Sequence, residues 1–170
     1  GTASSSVFLA GDNTWAAAGG GKIGQVVQTV NTATESLTST TATTIPDFTV
    51  AITPVATSSK ILVFTNFGVG ATNVSYTFNY QLFRDTTQIF MGDAAGSRPR
   101  NSMGTITQST REMWNVSFCY LDSPSTTSAT DYSIEWFGQS DGAYVFNRCG
   151  TDTDGANFDG RSAAAIADME

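Results

Sequence analysis

The residues closest to a chemical constellation lie near the end of the chain, in Asp152-Thr-Asp-Gly-Ala-Asn-Phe-Asp159. Hard oxygens at alternate positions of a glycine-containing loop are what calcium coordination needs, which makes Asp152, Asp154, Asn157 and Asp159 a calcium candidate. The glycine stands fourth and no glutamate stands twelfth, so this is not an EF-hand loop. Read as a polar turn the segment needs no ion, and neither metal nor cofactor is expected. Arg98, Arg100 and Arg111 flank a second polar loop, and guanidinium forks suit acidic sugars or phosphate, with pairing to aspartates as the plainer use. Glu112 and Glu135 would be the source of a glycoside-hydrolysing carboxylate pair. The acids sit mostly in turns among hydroxyls, and Glu135 alternates with Trp136 along a strand, so no catalytic group is expected.

Composition removes other chemistry. The chain contains no histidine, which excludes Ser-His-Asp and Cys-His catalysis and imidazole metal ligands. Eight Lys and Arg against fifteen Asp and Glu give a net charge of −7, the wrong sign for nucleic acid. No apolar run reaches the roughly 18 residues needed to span a bilayer, so no membrane insertion is expected. Cys119 and Cys149 both fall in strand-like segments and read as buried free thiols rather than a disulfide.

The elements that must position these residues are strands. The 170 residues include 26 Thr, 18 Ser and 16 Gly, with 14% charged, a composition of strands and tight turns. Alternation marks strands at 23–30, 45–52, 60–69, 74–83, 88–91, 103–108, 112–121, 131–138, 143–148 and 161–169. Residues 60–69 carry apolar side chains on both faces, as expected of a strand covered on both sides. Trp114, Val116, Phe118 and Tyr120 form one stripe, and Tyr132, Ile134 and Trp136 another. Both read as core or subunit interface, while Asn73, Tyr144, Asn147 and Phe158 are the better sugar contacts. The expectation is an all-β chain, an antiparallel β-sandwich of jelly-roll type with about 8–10 strands. Residues 1–21, rich in Gly, Ala and Ser, read as a connector from a preceding shaft or domain, and 22–170 as the head domain. The opening Gly-Thr-Ala, without Met, reads as part of something longer.

Several segments together carry a likeness: Gly21-Lys-Ile-Gly-Gln-Val-Val-Gln28, Ile52-Thr-Pro-Val-Ala-Thr-Ser-Ser-Lys-Ile-Leu-Val63, Leu82-Phe-Arg-Asp85, Gly92-Asp-Ala-Ala-Gly-Ser-Arg98, Asp122-Ser-Pro-Ser-Thr-Thr-Ser-Ala-Thr-Asp-Tyr132 and Ala165-Ile-Ala-Asp-Met-Glu170. Their order, over about residues 8–170, resembles C-terminal domains of tail-fibre and appendage proteins of marine tailed bacteriophages. Such domains are similar to trimeric jelly-roll heads of the tumour-necrosis-factor and complement types. The resemblance implies a virion structural protein at a tail or capsid fibre, assembled in the host cytoplasm. It further implies a homotrimer that contacts other virion proteins and attaches to a bacterial surface receptor. The residues offered for that contact are Arg98, Arg100, Asp154, Asn157 and Phe158. The other reading is a capsid decoration or fibre-trimerisation module with no ligand.

Overall fold

The computed structural model describes residues 7–9, 15–17, 23–139, 142–156 and 159–170. Asp141, Asn157 and Phe158 lie outside the described residues. The elements are β1 (Val7–Leu9), β2 (Trp15–Ala17), β3 (Val26–Asn31), β4 (Glu35–Leu37), β5 (Thr43–Ile52), β6 (Ile61–Ala71) and β7 (Thr77–Arg84). They continue with β8 (Thr87–Ile89), β9 (Met103–Ile106), β10 (Trp114–Asp122), β11 (Thr130–Gly138), β12 (Tyr144–Phe146) and β13 (Ala164–Met169). Strands β1 and β2 pair with each other, so the two apolar islands of the first segment share a short antiparallel ribbon.

All other strands fall into two antiparallel sheets. The first runs β10–β6–β13–β3, with β12 continuing the line of β13 along β6 and β4 continuing that of β3. The second runs β5–β11–β7, with β8 and β9 sharing the far edge of β7. With β3, β5, β6, β7, the β8–β9 pair, β10, β11 and β13 numbered one to eight, the sheets read 1-8-3-6 and 2-7-4-5. That is jelly-roll order, two interlocked Greek keys that close a sandwich.

Alternation dictates which side chains fill it. Ile61, Val63, Phe67 and Val69 of β6 are buried against Phe78, Tyr80 and Leu82 of β7 and Tyr132, Ile134 and Trp136 of β11. Aromatic edges join the layers: Phe67 meets Tyr80 at 5.3 Å, Phe48 meets Phe146 at 5.4 Å, and Phe78 meets Tyr144 at 4.6 Å. Such edge-to-face pairs add to what area burial alone contributes. Tyr144 and Asn147, expected as sugar contacts, are fully buried. Asn147 instead donates from Nδ2 to the carbonyls of Asn31 and Ala33 at 2.9 and 3.0 Å, tying the β12 end to the β3 end.

Two other expectations change. The stripe on β10 is graded, because β10 is an edge strand. Val116 is buried, Phe118 and Tyr120 are half-buried under the ring of Phe90, and Trp114 is exposed. Cys119 is an exposed free thiol on the outward phase of β10, whereas Cys149 is buried as expected.

The antiparallel pairing sorts the connections by end. Segments 38–42, 72–76, 107–113 and the long stretch between β11 and β13 lie at one end. The connections 53–60, 85–86 and 123–129 lie at the other, where Val26 opens β3 beside Met169 and Leu62.

Candidate functional site

At the end that carries the 38–42, 72–76 and 107–113 connections, the segment between β12 and β13 folds over an open polar cavity of about 450 Å³. It is lined by Asp152, Thr153, Asp154, Gly155, Asp159 and Arg161. Its shape is set by side chains that bond back to the loop. Asp152 takes a left-handed backbone angle, φ 48°, and its amide donates to the Cys149 thiol sulfur at 3.4 Å. Its carboxylate accepts from Arg161 Nη2 at 2.7 Å and faces Arg148 at 3.8 Å. Asp159 accepts the Thr153 amide at 2.8 Å and faces Arg111 at 3.8 Å. That amide hydrogen bond, with the Thr153 hydroxyl, the Cys149 thiol and Arg111 adding to it, holds the Asp159 carboxyl below the usual carboxylate range. Thr151 anchors the loop to the β9–β10 connection through Thr110, whose carbonyl accepts the Thr151 amide at 3.0 Å.

Asp152 Oδ2 is engaged by arginines, Asp159 by an amide and Arg111, and Asp154 is exposed at the cavity's edge. Among the described residues no group of three or more acids or cysteines is placed to hold a metal ion. The rim presents guanidinium and carboxylate groups with hydroxyls between them. A rim of that kind donates and accepts hydrogen bonds in pairs, the pattern that vicinal hydroxyls of a polar ligand present.

Arg98 and Arg100 lie elsewhere. Because β8 and β9 follow one another along the same edge of β7, the connection 90–102 leaves that edge opposite Leu82 and rejoins it opposite Tyr80. It folds over the outer face of the second sheet. Arg100 donates from Nε to the Gly92 carbonyl at 2.6 Å, and its own carbonyl accepts from Gln81 at 3.2 Å and from Gln88. Arg98 and Pro99 border a second cavity of about 710 Å³ with Thr77, Asn79, Gly138 and Gln139. Arg98 and Asp154 therefore belong to two separate hollows.

The two glutamates weighed for hydrolysis sit on different elements. Glu112 accepts the amides of Gln108 and Ser109 and the Trp114 indole N–H at 2.6, 3.1 and 3.2 Å, a turn cap that draws its carboxyl below the ordinary range. Glu135 lies half-buried on the outer phase of β11, where burial pushes its carboxyl up.

Sequence reading missed Arg148 and Arg161. Arg148 stands four residues before Asp152, and Arg161 directly follows the loop, but only the returning strand brings both onto one carboxylate. It also missed a buried acidic cluster at the far end. Asp122 accepts Arg84 Nη1 at 3.1 and 2.9 Å and the Tyr132 hydroxyl at 2.7 Å. Asp168 is fully buried nearby, and neither of its oxygens has a hydrogen-bond partner.

No family model matches the chain, and no curated protein matches it. Among solved structures, one from T=1 particles derived from infectious bursal virus is 11% identical with a TM-score of 0.46. It covers 92% of this chain, and this chain spans 38% of it. The T13 viral particle of the same virus (IBDV) is 13% identical with a TM-score of 0.44, over 85% of this chain and 35% of that one. The jelly-roll assignment rests on the strand order itself.

Proposed function

We propose that this chain is a non-enzymatic virion structural protein, the jelly-roll head at the tip of a bacteriophage tail or capsid fibre. Its task is reversible attachment to a bacterial surface glycan or protein. One observation carries the reading: the longest connection, 147–163, lies with the 38–42, 72–76 and 107–113 loops at one end of the sandwich, and Val26 starts the first sheet at the opposite end. A connector arriving at Val26 turns those loops away from the shaft. The strands are committed to the core, so the loops are free to vary without cost to the fold. Fold alone does not assign a ligand; the contact is argued from the rim of arginines, carboxylates and hydroxyls around Asp152–Asp159. Weak contacts repeated over several copies gain strength by avidity.

A second reading, a capsid decoration or fibre-trimerisation module with no ligand, draws on Val26, Val30, Phe64 and Leu121, which are exposed on the outer face of the first sheet. Adsorption separates the two. Fluorescently labelled chain is mixed with a panel of marine bacterial isolates, beside the folded variant Arg98→Ala, Arg100→Ala, Asp154→Ala, Phe158→Ala. Saturable adsorption to at least one strain, weakened about tenfold or more in the variant, is the expected result (about 1.4 kcal/mol). Equal adsorption by the variant places the contact on other residues. Adsorption to no strain favours the ligand-free module.

A further inference from the structure

Of the six arginines, four face a carboxylate: Arg84 that of Asp122, Arg111 that of Asp159, and Arg148 and Arg161 that of Asp152. The two that face none among the described residues, Arg98 and Arg100, both stand on the 90–102 connection. Arg100 ties that connection to itself through the Gly92 carbonyl. Arg98 is exposed, and its guanidinium makes one contact, at 3.5 Å to the Ala95 carbonyl. The backbone sets its place. Gly96, in the left-handed region at φ 62°, makes a turn that the Arg98 amide closes on the Ala95 carbonyl at 3.3 Å. Pro99 then biases Arg98 to extended backbone.

Arg98 borders the hollow of about 710 Å³ on the outer face of the second sheet, at the end that carries the 38–42 and 72–76 connections. Phe137 and Asn79 line it, paired in register on β11 and β7. Phe137 is half-buried on the outer phase of β11, outside the core cluster. Asn79 is more than nine-tenths buried. Its Oδ1 accepts from Asn101 Nδ2 at 2.5 Å, and its Nδ2 donates to no group among the described residues. Thr40, Thr77 and Gln139 add hydroxyls and an amide. A hollow of this size, with an aromatic ring and a few converging polar groups, has the make-up of a small-ligand site. No acid lines it. Glu135, two positions before Phe137, lies roughly 7 Å away along the strand, and Asp93 stands on the connection. Beyond roughly 10 Å the rest of the chain's negative balance is largely screened at 0.1 M salt.

We propose that this hollow binds a uronate residue of an acidic surface polysaccharide. The ring of Phe137 takes the C–H face of the pyranose, because an aromatic face is negative and those hydrogens are not. The Arg98 fork takes the carboxylate, the planar acceptor that matches two parallel N–H groups. Asn79 Nδ2 donates to a ring hydroxyl, with Gln139 and Thr40 as the further polar partners. Strands β7 and β11 are each paired on both sides, so no edge is free here for an extended peptide. The inference rests on the attachment reading for its use in the particle, and it names a ligand class in a hollow apart from the Asp152–Asp159 rim.

Saturation-transfer NMR on the intact chain tests it. The probes are oligogalacturonate, oligoglucuronate and oligomannuronate, beside their neutral counterparts and a hexose phosphate. The expected result is saturable binding of at least one oligouronate, about tenfold or more tighter than the matching neutral sugar. Arg98→Ala is expected to abolish that preference, and Arg98→Lys to restore only part of it, because an ammonium lacks the fork. Phe137→Leu, checked for its fold by circular dichroism, weakens acidic and neutral sugars alike. The inference is overturned by a chain that binds no oligouronate, by a preference that survives in Arg98→Ala, or by a hexose phosphate bound as tightly as the best uronate. Adsorption to cells is scored separately. A chain that adsorbs but binds no uronate keeps the attachment reading and loses this one; a chain that binds uronate but adsorbs to no strain does the reverse.

Discussion

Asp122→Ala is expected to lower the stability of the protein by about 3–5 kcal/mol, the cost of breaking a buried charge pair from one side. The side chain of Asp122 is only 6% exposed. It is the acceptor for both the Arg84 guanidinium and the Tyr132 hydroxyl, which come from two neighbouring strands of the opposite sheet. Truncation leaves the Tyr132 phenol, which burial and the Asp122 charge push above its ordinary value, facing a void. It also leaves Arg84, three-quarters covered, without its carboxylate. For a chain of this size each kcal/mol moves the melting midpoint by roughly 2–4 °C, so a fall on the order of 10 °C is expected in a thermal scan. A loss below about 1 kcal/mol would show that Arg84 is satisfied by solvent and that the cluster does not tie the sheets together.

Asp168→Asn acts in the other direction, raising stability by about 1–3 kcal/mol near pH 8 and changing little near pH 4. Asp168 shares the inward phase of β13 with Ala164 and Ile166 and is fully buried with neither oxygen hydrogen-bonded. Burial, with the Asp122 charge adding to it, pushes its carboxyl from 3.8 up to about 8. Between those values the folded protein holds a proton that the unfolded chain has released. The contribution of this group is therefore complete below about 3.8 and is lost as pH rises towards 8. The charged group that adds to burial is Asp122, itself bonded to Arg84 and Tyr132. An amide is neutral at every pH and keeps the shape, so the variant should show a flatter profile across that window. Glu112, Asp159 and Glu170, all held below the ordinary range, work oppositely and lose their contribution as pH falls below about 4. They are common to both proteins, so the difference between the two urea-unfolding profiles isolates Asp168. Parallel profiles would contradict the assignment. The double variant with Asp122→Ala then measures the coupling between the two carboxyls directly.

Much of the sandwich is legible in the residues because a period of two leaves little freedom. Ile61, Val63, Thr65 and Phe67 fall on one side of β6, and Tyr132, Ile134 and Trp136 on one side of β11; both sets are core. The strand Glu35–Leu37 escapes notice because three residues with a single large apolar side chain carry no alternation; its partner β12 supplies the order. Burial of Asp168 follows from its phase with Ala164 and Ile166, but its neighbours come from β7, β10 and β11 and cannot be read along β13. The same limit applies at the cavity. Asp152 and Asp159 announce a polar loop, yet Arg111 reaches Asp159 from a connection 48 positions earlier, through a fold that must first be built. The resemblance groups Arg98 and Arg100 with Asp154 of that loop in one contact. The pairing of β8 and β9 on one edge of β7 carries them instead over the second sheet.

The central claim concerns orientation on a particle, and cryo-electron microscopy of the intact virion carrying this chain tests it most directly. The expected map shows jelly-roll heads at the end of an appendage. The end holding Val26 and the 53–60 turn faces the shaft, and the loop from Thr151 to Gly160 points outward into solvent. A map that places the sandwich within the shell wall, or that buries the Thr151–Gly160 end against the shaft, contradicts it.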